Sequence, residues 1–134
     1  MKKLIFSTSS YFQDISLAIL RIGAALLMLT HGWPKIANFS TYLTKFSDPI
    51  GLGPAISLQL AIVAEFFCAI LLAFGFLTRL SLIPLMITMS VAAFIAHADD
   101  PFGSKEKPLL FLLIFIFLFL AGPGKYSVDS QIKK

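Results

Sequence analysis

Charge is scarce in this chain. Lys, Arg, Asp and Glu together make up 13% of its 134 residues, about half the share of a soluble domain. Cysteine is scarcer still. The single Cys68 has no partner for an internal disulfide, a CxxC redox pair or a cysteine zinc site. The chain also has no glycine-rich nucleotide loop, no nucleophile triad and no metal-ligand motif, which argues against a self-contained enzyme. No basic stripe is present of the kind that follows nucleic-acid phosphates. The net charge of +4 and the pI near 9.4 suit an anionic membrane surface instead.

Apolar residues are abundant. They account for 57% of the chain, with 14 Phe among them, and the mean hydropathy is +0.87. Folded in water, such a chain would leave much apolar surface exposed. Its solvent is therefore lipid, at least in part. A soluble enzyme, a disordered tail and a nucleic-acid module are all excluded.

Four apolar stretches predict an all-α, integral membrane four-helix bundle forming one domain over 1–134. The helices are expected at about 15–33, 54–77, 80–98 and 105–121. A crossing needs about 20 helical residues, and the first three stretches qualify outright. The fourth, apolar only over 109–121, qualifies if its helix starts near Ser104 or Lys105, where Pro108 would fall in the tolerant first turn. A re-entrant fourth segment is the alternative. Arg21 interrupts the first stretch and no small-x-small cleavage site follows, so that stretch reads as a retained helix rather than a signal peptide. Thr78–Arg79 is a tight turn that makes helices two and three a hairpin. With four crossings, Lys2, Lys3, Arg79, Lys125, Lys133 and Lys134 lie on one side, against Lys35, Lys45, Lys105 and Lys107 on the other. The excess places both termini in the cytoplasm of a cytoplasmic-membrane protein.

Polar groups inside a bilayer are costly and point to function. Ala61, Glu65, Ala69 and Ala73 form a small-residue ridge on helix two that should carry Glu65 inward. Met86, Ser90, Ala93 and His97 share a stripe on helix three. At about 1.5 Å per residue, Arg21 sits roughly 10 Å from the cytoplasmic edge, Glu65 roughly 19 Å and His31 roughly 25 Å. Side chains lean toward their own helix N-terminus, so Glu65 and His31 make the better pair and Arg21 must stretch to join them. Glu65, His31 and His97 thus converge on the outer half, with Lys35, Asp99, Asp100 and Glu106 at the mouth. Pro34 is expected to break helix one and to displace Lys35. The Phe residues of helix four read as lipid contacts, and Cys68 as packing.

A quinone site needs an acid or imidazole near each carbonyl and apolar walls. His31, Glu65, Trp33 and His97 supply these. Each also has a plainer reading: a structural ion pair for Glu65, hydrogen-bonding interfacial imidazoles for the histidines, a snorkelling anchor for Arg21. Two histidines on facing helices also fit a b-type haem, on weaker grounds; no metal site is expected.

The chain resembles the DoxX family of small four-helix membrane proteins over about 17–129. The resemblance rests on LAILRIG…THGWPKI (Arg21, His31, Gly32, Lys35), on AEFFCAILLAFGFLTR (Glu65, Gly75, Arg79), on His97, and on GPGKYSVD (Gly122, Pro123, Gly124, Tyr126, Ser127, Asp129). The family takes its name from a subunit of a thiosulfate:quinone oxidoreductase. The resemblance therefore implies a quinone-linked role with a soluble redox partner or a partner-organising role, and no agreed catalytic residues come with it. The expectation is a membrane subunit that binds a hydrophobic ligand, quinone or lipid, between helices one to three. Glu65 and His31 would handle the proton, and Arg21, Lys35, His97 and Trp33 would bind the ligand. A homo-oligomer is expected. The alternatives are a non-enzymatic scaffold that recruits a soluble partner or stabilises itself as a dimer through helix four and, last, a small transporter. In the tail, Gly122-Pro123-Gly124 stops helix four, and Ser127 and Asp129 are placed to cap back onto Arg79 or a helix end.

Overall fold

The computed structural model describes residues 1–133, and these are helical with no strand among them. Four long helices dominate: α2 (Gln13–Ala37), α4 (Pro54–Phe74), α5 (Thr78–Ala96) and α6 (Phe102–Ala121). Three short ones accompany them: α1 (Lys2–Ile5), α3 (Phe39–Lys45) and α7 (Val128–Lys133). By length and composition α2, α4 and α5 can each cross a membrane. The 20 residues of α6 give about 30 Å at the usual helical rise, with Lys105, Glu106 and Lys107 in its first turns.

The helices form a ring in which α4 packs against α2 and α5, and α5 packs along α6. The ring closes through lighter contact between α2 and α6. Its core runs through Leu17, Ala25 and Met28 of α2, Ala69 and Leu72 of α4, Leu82 and Leu85 of α5, and Phe115 and Leu118 of α6. Small residues at Ala24, Ala25 and Ala69 let the backbones approach, which in lipid replaces the missing hydrophobic drive between helices. Outward-facing Leu, Ile and Phe on all four helices remain exposed, as expected where lipid is the solvent.

Several local expectations change. Helix α2 runs through Pro34 to Ala37, so Lys35 stays on the helix that carries His31 instead of being displaced. Helix α6 begins at Phe102, which puts Pro108 in its second turn, where the missing N–H leaves a helical carbonyl without its partner. Phe111 and Phe115 are buried, with their rings stacked 5.8 Å apart. They are core residues and not lipid contacts, because α6 turns this stripe toward the ring interior. Part of the 34–53 connection is helical as α3.

Both central helices also contain a π-helical turn, Val63–Cys68 in α4 and Ala92–Ala96 in α5. Widening the helix there lets neighbouring positions turn inward together: Ala64, Glu65, Cys68 and Ala69 are all buried. Such turns cost regular hydrogen bonding and recur at functional sites.

Candidate functional site

The two π turns border the same small cavity. It measures about 130 Å³ and is lined by Met28 and His31 of α2, Glu65 of α4, His97 after α5, and Lys107 and Phe111 of α6, among others. Glu65 and Ala92, one from each π turn, both face it. At about 30 Å³ per water, the space holds roughly four waters or one small polar group.

Glu65 is held by Lys35, whose Nζ donates to Oε2 at 2.6 Å. The pair is mostly buried, at 15% and 7% side-chain exposure, where a carboxylate without a counter-charge would be costly. This partner differs from the expected His31. Lys35 lies one turn beyond His31, and its long stem runs back toward the helix N-terminus to reach Glu65. The contact relies on Gly32. A Cβ there would lie 2.6 Å from the Glu65 carbonyl oxygen and 2.9 Å from the Phe66 nitrogen, so only glycine lets α2 meet the π turn so closely. The His31 ring stands edge-on to Phe111, with centroids 6.0 Å apart. His97 Nδ1 lies 2.7 Å from Asp100 Oδ2, and this fixes its ring at the cavity rim.

The structure thus brings His31, Glu65 and His97 to one cavity, with Lys35 attached through its ion pair. It turns Trp33 and Arg21 elsewhere. Trp33 is 57% exposed and leans on Phe66. Arg21 is 1% exposed and donates to the carbonyls of Pro123 and Tyr126, the latter at 2.8 Å. Lys107 and Phe111 were not anticipated as cavity residues. Their signal is the four-residue spacing on α6 at the end of the bundle that carries His97.

At the opposite end the tail is tied back into the bundle. The Asp129 carboxylate accepts from the amides of Leu77 (2.8 Å) and Thr78 (2.9 Å), capping the start of α5 as a helix end requires. Its own amide donates to Gly75 O at 2.9 Å. Burial opposes the Asp129 charge, but the Thr78 and Leu77 amides and the nearby Arg21 outweigh it, and the carboxyl is held below the usual aspartate range. Gly75 is left-handed, at φ +67°, and abuts Ser127, so a side chain fits there neither conformationally nor sterically. Arg79 Nε donates to Phe119 O at 2.9 Å, and Asp14 Oδ1 accepts from the Lys125 amide at 3.1 Å. The GPGKYSVD segment is a structural clasp on the ends of α2, α4, α5 and α6.

A ring of long apolar helices, with a small cavity bordered by ionisable side chains near one end, defines a multi-pass helical membrane protein. The chain belongs to the DoxX family, whose pattern matches residues 16–98. An uncharacterized protein of Haemophilus influenzae is 34% identical over 128 residues, covering 90% of this chain and 85% of its own length. The Escherichia coli inner membrane protein YqjF is 29% identical, over 91% of this chain and 95% of its own. The inner membrane protein YphA of the same bacterium is 28% identical, over 89% and 91%. No solved structure matches the chain.

Proposed function

We propose that this protein is the membrane subunit of a quinone-linked redox complex and that the cavity receives the quinone head group. The observation that supports it is the cavity itself: two imidazoles, a carboxylate and an ammonium around one aromatic wall, inside an otherwise apolar ring. Its volume, about 130 Å³, is below the 300 Å³ or more of a site that encloses a whole drug-sized ligand. It suits one head group, with the isoprenoid tail left between helices or in lipid.

Reduction of a quinone to a quinol takes up two electrons and two protons. In this reading a soluble partner supplies the electrons, and His31 and Glu65 pass the protons to the carbonyl oxygens. His97, steadied by Asp100, and Lys107 bind the head group. Lys35 positions Glu65 through their ion pair. Arg21 is left out of the ligand site because it does not line the cavity and its two terminal nitrogens donate to the tail. Placement in the inner membrane follows the names of YqjF and YphA. A cytoplasmic position for both termini follows from the lysine and arginine balance across the two ends.

The test is quinone retention and reduction by Glu65→Gln and His31→Ala proteins in lipid nanodiscs. Losses of tenfold or more in binding support the site, and unchanged binding and turnover refute it. The scaffold alternative would need α6 to carry a distinctive surface. Its exposed Leu110, Leu113, Phe117 and Leu120 are matched by similar stripes on the other long helices, so the cavity reading is preferred. A homo-oligomer stays part of the proposal, to be read from the mass of the nanodisc particle.

A further inference from the structure

At the clasp end a second and larger cavity, about 700 Å³, opens between the start of α5 and the end of α6. Its walls carry Arg79, Lys125 and Lys133, together with Asp14 and Asp129, over an apolar floor that includes Leu77 and Leu80. Both carboxylates are already engaged by backbone amides, Asp14 by Lys125 and Asp129 by Leu77 and Thr78. Among the described residues, none of the three cations has an Asp or Glu carboxylate within salt-bridge distance. Arg79 spends only Nε, on the Phe119 carbonyl, and its terminal nitrogens lie against Gly122, where a Cβ would be 3.3 Å from one of them. The left-handed glycines Gly122 and Gly124 keep this wall free of side chains.

Next to the cavity, α5 and α6 pack side by side, and both leave apolar side chains exposed: Leu80, Ile83 and Ile87 on α5, and Leu113, Phe117 and Leu120 on α6.

We propose that this cavity binds the phosphate of an anionic phospholipid among Arg79, Lys125 and Lys133, with the acyl chains lying against the exposed apolar side chains of α5 and α6. Three cations against two carboxylates leave the cavity with an excess of positive charge, beside exposed apolar side chains of α5 and α6 at the level where the helices end. A phospholipid matches both parts in one molecule, whereas a free phosphate would use the charge alone. Basic groups near a membrane surface gain enough from anionic lipid to change binding about fivefold each.

The experiment is native mass spectrometry of the full chain in detergent with equal amounts of phosphatidylglycerol and phosphatidylcholine bearing identical acyl chains. Wild type should retain phosphatidylglycerol preferentially. Lys125→Gln/Lys133→Gln, whose side chains donate no hydrogen bond to the fold among the described residues, should lower the preference by an order of magnitude or more. Adding Arg79→Gln should abolish it. Lys45→Gln, on the exposed surface of α3 at the opposite end, should leave it unchanged. Equal retention of the two lipids by wild type, or an equal loss in Lys45→Gln, overturns the proposal. Inorganic phosphate that displaces phosphatidylglycerol and raises the melting temperature as much as the lipid does would make this a free-anion site, which overturns it too.

Discussion

Gly32→Ala is the substitution for which the structure makes the firmest claim. The new Cβ would lie 2.6 Å from the Glu65 carbonyl oxygen, 2.7 Å from its carbon and 2.9 Å from the Phe66 nitrogen. All three are backbone atoms, so no rotamer change relieves the clash. Helices α2 and α4 must separate by several tenths of an ångström along the seam that holds Ala25 and Ala69, both fully buried. Overpacking of this kind costs about 1–3 kcal/mol. Gly23→Ala is the internal control. It lies about two and a half turns away on the same helix and its Cβ would meet nothing within 4 Å, so it should be neutral or gain up to about 1 kcal/mol from helix propensity. Thermal unfolding of both variants in the same detergent, followed by circular dichroism, measures the difference. The prediction is a lower midpoint for Gly32→Ala and an unchanged or higher one for Gly23→Ala. Equal midpoints would refute the close approach on which the Lys35–Glu65 geometry rests.

Other outcomes follow from the same structure. Lys35→Met or Glu65→Gln alone strands half of a mostly buried pair and should cost about 3–5 kcal/mol, whereas the double variant should cost less than either. A double-mutant cycle by thermal unfolding checks this, and additive losses would contradict it. Arg21→Lys cannot fork to two carbonyls as a guanidinium does, so trypsin should cut after Lys125 faster than in wild type. Asp129→Ala removes the α5 cap and should cost about 0.5–2 kcal/mol. The Asp129 carboxyl lies below its unfolded range, so its contribution is present above the unfolded aspartate pKa and is lost as pH falls through the lower folded value. Acid titration of the melting temperature should therefore show one fewer stabilising ionisation in Asp129→Ala.

The spans were legible in the sequence because long uncharged runs can only be helices in lipid. The convergence of His31, Glu65 and His97 was legible as well, since depth follows from a constant rise per residue. The tail was read as a cap from Ser127 and Asp129, and Asp129 does cap a helix. Other features were hidden for identifiable reasons. A π turn changes which residues share a face without changing residue type, so the inward turn of Ala64 beside Glu65 left no periodic mark. Arg21 binds the main-chain carbonyls of Pro123 and Tyr126, atoms every residue has, so no motif announces the contact. Pro34 suggested a break, but a proline removes one hydrogen bond, and the packing of α2 on α4 holds the helix beyond it. On α6 all faces are apolar, so its hydrophobic pattern could not separate the buried Phe111 and Phe115 from the exposed Phe117.

The occupant of the cavity beside Glu65 decides the function of this protein. Protein purified in mild detergent, weighed intact and then extracted with solvent for quinone analysis alongside an absorbance spectrum, tests it most directly. Quinone near one equivalent per chain, and its loss from His31→Ala protein of normal stability, is the predicted result. Phospholipid alone in both preparations, with no quinone bound when it is supplied, would contradict it.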